Sequence, residues 1–233
     1  MAKKQAEGAV EVNETLNKTE VFFDKYKKVI LISVVAVIAI IVGVILYQNY
    51  VSEPRENKAS TELGRGQEYF NAEQFDKALN GDGANYTGFL KIASDYSGTD
   101  AANLANLYAG LCYAYMEKWE DAVKYLDQYS PAKDALVSPA AIAALGNAYA
   151  HVNQLDKAVE NLLKAADMAD KRADNNTNIS VAPTFRQQAA ILLESQGKKE
   201  EALKIYKEIK KKYINSSLVQ SQEIDRYIER ASR

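Results

Sequence analysis

Apolar side chains divide the chain into three stretches of different character. Residues 1–19 are polar and rich in Lys and Glu, with few large apolar residues among them. Such a segment buries too little surface to offset its ordering entropy, and disorder is expected there, turning helical near Glu20. Residues 29–46 read VILISVVAVIAIIVGVIL, without one charge, and only Ser33 and Gly43 are not clearly apolar. Beyond about residue 53, apolar positions recur at helical spacing, the signature of helices with one buried stripe.

At ~1.5 Å per residue, the central stretch spans ~27 Å, close to the thickness of a hydrocarbon core. Phe22, Phe23 and Tyr26 precede it, and Tyr47 and Tyr50 follow it, at the levels where interfacial aromatic belts lie. A cleaved signal peptide has a shorter apolar core and small residues at its cleavage site. This stretch is instead followed by the bulky Tyr47-Gln48-Asn49-Tyr50. A buried soluble helix would carry a polar face, and this one has none. One transmembrane anchor helix is therefore predicted, covering residues 20–50 with its flanks. Lys18, Lys25, Lys27 and Lys28 lie close before the span, whereas Arg55 and Lys58 come only beyond Pro54. That bias predicts the N-terminus inside and the large domain outside. In a bacterium, this is a single-pass inner-membrane protein with a cytoplasmic tail and a periplasmic domain.

The remainder repeats itself. Gly66-Gln67-Glu68-Tyr69 precedes Ala78, Gly110-Leu111-Cys112-Tyr113 precedes Ala122, and Gly146-Asn147-Ala148-Tyr149 precedes Ala158. Ala190, Leu193 and Ala202 keep the register in a fourth unit. The segments leading to these alanines also rhyme: Phe75-Asp76-Lys77, Trp119-Glu120-Asp121, Leu155-Asp156-Lys157 and Lys199-Glu200-Glu201. Small residues let the two helices of a pair approach closely, and an aromatic fills the space beside them. One pair cannot bury its own apolar face, so the pairs must stack. This pattern resembles the tetratricopeptide repeat. The resemblance implies an all-α fold: a solenoid of about four helix pairs over residues 59–215, after a linker or first helix start at residues 51–58.

Punctuation supports these boundaries. Glu53-Pro54 can open the first helix, Ser138-Pro139 reads as an N-cap followed by Pro at the first helical position, and Ala182-Pro183 opens the fourth pair. Gly197 ends the helix before it. The run Asn80-Gly81-Asp82-Gly83-Ala84-Asn85 cannot continue a helix, so the second helix of unit one should break and resume near Tyr86. Asp174-Asn175-Asn176-Thr177-Asn178 reads as a polar loop. Residues 216–233 read as one amphipathic capping helix, with Leu218, Ile224, Tyr227 and Ile228 on or near one face.

Composition narrows the function. A formal net charge of -2 leaves no broad basic footprint for nucleic acid. One Cys and one His exclude an intramolecular disulfide and a zinc site built from paired ligands. Cys112 lies in a helical apolar pattern and reads as a small buried hydrophobe. Asp82 has too few neighbouring carboxylates for a calcium loop. No phosphate loop, Gly-x-Ser-x-Gly or His-Glu-x-x-His occurs. The Lys210-Lys211-Lys212 run suits a helix C-terminus. The expectation is a protein that binds other proteins, needs no cofactor or metal and catalyses nothing.

In tetratricopeptide arrays, the first (A) helix of each pair lines the concave face. The resemblance places Leu104, Leu107, Leu111 and Tyr115 of unit two there. It adds Ala140, Ala143, Asn147 and His151 of unit three, and Thr184, Gln187 and Ile191 of unit four. Repeats that clamp a terminal carboxylate carry Lys and Arg at these places. Only Asn147 matches that pattern, so such clamping is disfavoured. An equally simple reading of Leu104 and Leu107 is packing between repeats. The order of tail, anchor, linker and irregular repeats, with the turn Tyr96-Ser97-Gly98-Thr99-Asp100-Ala101-Ala102, resembles the YfgM-like membrane-anchored proteins. That resemblance implies partners among protein-export translocon subunits and periplasmic chaperones. A self-associating (homo-oligomeric) scaffold of another envelope complex is the alternative.

Overall fold

The structure is a computed structural model that describes residues 25–233, which divide between two units, residues 1–54 and 55–233. No strand occurs among the described residues. The expected disordered tail, residues 1–19, lies outside them.

The first unit holds α1 (Ala2–Tyr47), described from Lys25, and a π-helical turn, Gln48–Ser52. Its apolar stretch is long enough to cross a membrane, and none of it is buried within the protein. Val29 is 61 % and Ile40 66 % exposed. Ser33 donates its hydroxyl proton to the Val29 carbonyl at 2.9 Å, so this polar group is satisfied inside the helix.

The second unit is a run of antiparallel helix pairs. The first pairs α2 (Glu53–Asn71) with the interrupted α3 (Phe75–Asn80) and α4 (Phe89–Asp95). The next three pair α5 (Asp100–Tyr115) with α6 (Trp119–Leu126), α7 (Val137–His151) with α8 (Leu155–Arg172), and α9 (Ala182–Ser195) with α10 (Lys199–Lys212). We call the first and second helices of each pair A and B.

Close approach between A and B explains the recurring small residues. A Cβ on Gly66 would lie 2.3 Å from the Tyr86 hydroxyl and 2.4 Å from the Phe89 ring. One on Gly110 would lie 2.5 Å from Leu126 Cγ and 2.9 Å from its backbone nitrogen. At Gly146 the space is slightly wider, 3.0 Å to Leu162 Cγ. On the facing helices, Ala78, Ala122, Ala158 and Ala202 are all fully buried, as is Ala190. Apolar side chains fill the rest in four clusters along the array. Each bridges adjacent helices, so burial depends on stacking.

The four A-to-B turns share one geometry. Glu73, Glu117, Asn153 and Gly197 adopt left-handed backbone, with φ of 57°, 58°, 58° and 76°. The amide after each reaches back five residues: Gln74 to Tyr69, Lys118 to Tyr113, Gln154 to Tyr149 and Lys198 to Leu193. This is the Schellman closure, which satisfies helix-end carbonyls and usually takes Gly at the left-handed position. Here only the fourth turn does.

Two expectations need correction. Ser138 does not cap α7. It lies inside the helix, whose N-cap position is Leu136, and the helix-start amides are met from upstream by the Asp134 carboxylate, which accepts from the Leu136 amide at 3.0 Å and the Ser138 amide at 3.0 Å. The Ser138 hydroxyl also donates to Asp134 and accepts from the Ala132 amide at 2.9 Å. A carboxylate satisfies more of the orphan donors than a hydroxyl can, which draws the helix start upstream. Residues 216–233 do not form one helix but two, α11 (Ser217–Gln220) and α12 (Glu223–Ser232), with Gln222 left-handed between them. At ~100° per residue, Leu218 and Ile224 would stand ~120° apart on a continuous helix. The break lets both bury, at 7 % and 0 % exposure. Ser216 precedes α11 without a side-chain capping bond, although its carbonyl accepts from Val219 and Gln220.

The break in unit one is as expected, and it is organised by Asp82. That carboxylate accepts from the Ala84, Asn85 and Tyr86 amides at 2.9, 2.9 and 3.0 Å and from the Tyr69 hydroxyl at 2.9 Å. The amides of Ala84 and Tyr86, then the Tyr69 hydroxyl, hold it far below the usual carboxylate range.

Glu117→Gly should raise stability by about 0.5–1 kcal/mol by relieving left-handed backbone, and Gly197→Ala should lower it by about 1 kcal/mol. Gly110→Ala should cost about 1–3 kcal/mol through overpacking against Leu126. Urea unfolding followed by circular dichroism measures all three.

Candidate protein-binding face

The A helices carry the residues expected at the binding face, and the structure sorts them. Leu107 is only 5 % exposed and packs with Ala141, Leu145 and Ala148 of α7. Leu104 and Leu111 are half-buried beside the same cluster. These three are mainly packing between units two and three. Ala143, 3 % exposed, joins Ile142, Leu162, Ala165 and Ala189 in the core between units three and four. Ala140, Asn147 and His151 of α7 and Thr184 and Ile191 of α9 are exposed. Gln187 is half-buried, and its amide donates to the Glu223 carboxylate of α12 at 3.4 Å. The C-terminal cap therefore takes up part of the unit-four face, a consequence of where the chain turns back.

Tyr115 and His151 have ring partners that sequence reasoning did not name. Tyr115, 66 % exposed, stacks on Phe75 with ring centroids 5.0 Å apart and planes 1° from parallel. His151 stacks on Trp119 at 3.6 Å and 4°. The two pairs are equivalent. Phe75 and Trp119 each open a B helix, and Tyr115 and His151 each close the next A helix. The signal was present in the rhyming openings and in the common five-residue offset from Gly110 and Gly146. Unit four breaks the series, because Leu155 and Ser195 stand at the matching places. Aromatic contacts of this kind add about 0.5–1.5 kcal/mol beyond area burial.

A polar constellation lies between α8, α9 and the end of α10. Asp170 is 4 % and Arg186 8 % exposed. Asp170 accepts from the Tyr213 hydroxyl at 2.6 Å, Lys212 Nζ at 2.5 Å and the Asn178 amide at 2.9 Å. Arg186 donates through Nε to the Tyr213 hydroxyl at 2.8 Å and pairs with Asp167 at 2.6 Å. Burial alone would raise the pKa of Asp170. The Lys212, Tyr213 and Asn178 bonds outweigh it and hold the carboxyl below its ordinary value. With its oxygens occupied, this carboxylate is a brace between pairs rather than an open acid or base. Burial likewise pushes the Cys112 thiol up to about 12, keeping it protonated and inert near neutral pH.

The nearly identical TPR-like repeats of a Podosopora anserina protein described as a kinesin light chain align with 76 % of this chain and 94 % of that chain. The TM-score is 0.52 at 13 % identity, and a second structure, a single-residue variant of those repeats, gives the same values. The fold is TPR-like. Neither a family model nor a curated protein matches the chain. Of the A-helix residues expected at the face, Tyr115, Asn147, His151 and Ile191 are exposed and none is an Asp, Glu, Lys or Arg, while Leu104 and Leu111 are half-buried.

Asp170→Ala should destabilise the domain by about 2–4 kcal/mol, because the buried Tyr213 hydroxyl, Lys212 and the Asn178 amide all lose their acceptor while Arg186 keeps Asp167. The sign of the pH dependence follows from the depressed pKa. The stabilisation is present above the carboxyl's unfolded pKa and is lost as pH falls through its lower folded pKa. Urea midpoints of wild type and Asp170→Asn should therefore converge on acidification.

Proposed function

We propose that this protein is a membrane-anchored protein-interaction module. The observation that carries the reading is an apolar helix with no face buried in the protein, joined to a TPR-like array whose A helices expose Tyr115, Asn147, His151 and Ile191. The apolar stretch is long enough to span a bilayer, and Lys25, Lys27 and Lys28 stand at its start. Cations on that side favour a cytoplasmic N-terminus and a repeat domain on the far side, the periplasm of a bacterium.

This exposed set suits polypeptide better than a small charged ligand. Tyr115 and Ile191 offer apolar contact, Asn147 offers amide hydrogen bonding, and His151 offers a ring edge. It carries no Lys or Arg to clamp a terminal carboxylate. The YfgM-like resemblance points to translocon subunits and periplasmic folding factors as the polypeptides concerned.

Purification of the tagged full chain from detergent-solubilised membranes, followed by mass spectrometry, should retrieve translocon or chaperone subunits. Asn147→Lys with Ile191→Glu should reduce their recovery at least about tenfold, as loss of central contacts does. Consistent absence of such subunits from the wild-type sample removes the translocon assignment.

A further inference from the structure

Charge is shared unevenly along the repeat unit. Residues 55–135 carry thirteen Asp and Glu against eight Lys and Arg, whereas residues 136–233 carry twelve against fifteen. The first two helix pairs are therefore acidic and the remainder basic. The excess of acid is most marked at the first two A-to-B turns. Residues 72–78 and 116–122 hold Glu73, Asp76, Glu117, Glu120 and Asp121 against Lys77 and Lys118, all of them exposed. None of the five carboxylates joins an ion pair among the described residues. Lys77 is engaged elsewhere, donating to Gln74 Oε1 at 2.9 Å and lying 5.9 Å from the centre of the Tyr69 ring. Carboxylates at the start of α3 and α6 suit the helix dipole. Glu73 and Glu117 instead stand at the left-handed positions that the fourth turn gives to Gly197.

The same two turns carry an exposed ring. Phe75 lies flat against Tyr115 at 5.0 Å and Phe70 meets its edge at 5.8 Å, yet Tyr115 remains 66 % exposed. Beside this stack, Phe75 and Met116 line a shallow cleft of about 520 Å³ with Glu73, Gln74, Asp76 and Lys77. The later turns have neither feature. At the third, the one carboxylate, Asp156, pairs with Lys198 at 2.8 Å. At the fourth, Lys198 and Lys199 balance Glu200 and Glu201, and Ser195 stands where Tyr115 does. An open aromatic face beside unpaired carboxylates is the chemistry that holds an ammonium or, better, a planar guanidinium.

We propose that the edge formed by the first two A-to-B turns takes a cationic polypeptide segment, with an Arg or Lys side chain against Tyr115 and its charge met by Glu73, Asp76 and Glu117. The inference rests on the reading of the array as a protein-binding module and names the chemistry of the partner. The basic half of the array repels such a segment and confines it to this end.

Fluorescence polarisation of a labelled, end-blocked octapeptide of alternating Arg and Gly, titrated with the full chain in neutral detergent micelles, gives the test. The matching Glu–Gly peptide is the control. The Arg peptide should bind at least about tenfold more tightly than the Glu peptide, and more weakly as salt rises. Glu73→Lys with Glu117→Lys should weaken it at least about tenfold. Glu200→Lys with Glu201→Lys, the same change of charge at the fourth turn, should alter it less than about twofold. Tyr115→Leu should weaken binding about two- to fivefold and Tyr115→Phe should preserve it, with helical circular dichroism unchanged in both. Equal binding of the two peptides, or equal losses in the two double-lysine variants, overturns the proposal. In that case continued retrieval of partner proteins by the full chain leaves the interaction-module reading standing, and loss of both results removes both.

Discussion

The repeat unit depends on how closely paired helices approach. Gly66 and Gly110 leave no room for a Cβ against the facing residues and Gly146 leaves only a tight one, and buried Ala78, Ala122 and Ala158 complete the contact from the B side. Approach at this distance lets Leu126 and Leu162 reach across each pair. It also aligns successive pairs so that one helix buries two apolar stripes. Widening any pair would separate the clusters on both sides of it, since each unit supplies half of its neighbour's core. Tyrosine is the complement of this arrangement. Its ring fills the wedge between helices while the hydroxyl reaches a polar partner, as Tyr86 does to the Ala78 carbonyl, Tyr206 to Glu194 and Tyr213 to Asp170.

Much of this was legible in the sequence because the repeat imposes the same local demand four times. The Gly-x-x-Tyr register, the alanines nine residues on and the apolar stretch each announce a single physical requirement. What was hidden depends on long-range geometry. Asp134 captured the start of α7 from Ser138 because a carboxylate four residues upstream could fold back over the amides. Gln222 broke the final segment because Leu218 and Ile224 could not both face the core on one helix. Neither competition is decided by local propensity.

The candidate face was legible only in outline. Choosing A-helix positions by offset from the aligned glycines found the exposed Tyr115, Asn147, His151 and Ile191. It also gathered Leu107 and Ala143, which are core, because the offsets ignore the rotation of each A helix against its neighbour. Gln187 was claimed by the cap, whose placement no repeat offset encodes. The stacked pairs Phe75–Tyr115 and Trp119–His151 could have been inferred from equivalence between units. They place paired rings at the same end of two successive A helices, where an exposed Tyr and His are held by stacking rather than left to rotate.

On the proposed reading, the apolar helix and the array are one device: lipid holds the first, and the second presents its exposed A-helix residues to other polypeptides. Alkaline carbonate extraction of native membranes tests the first half of that claim most directly. The account predicts that the full chain stays in the membrane pellet, while a chain lacking residues 29–46 moves to the supernatant with its helical circular dichroism intact. Release of the full chain by carbonate would contradict it.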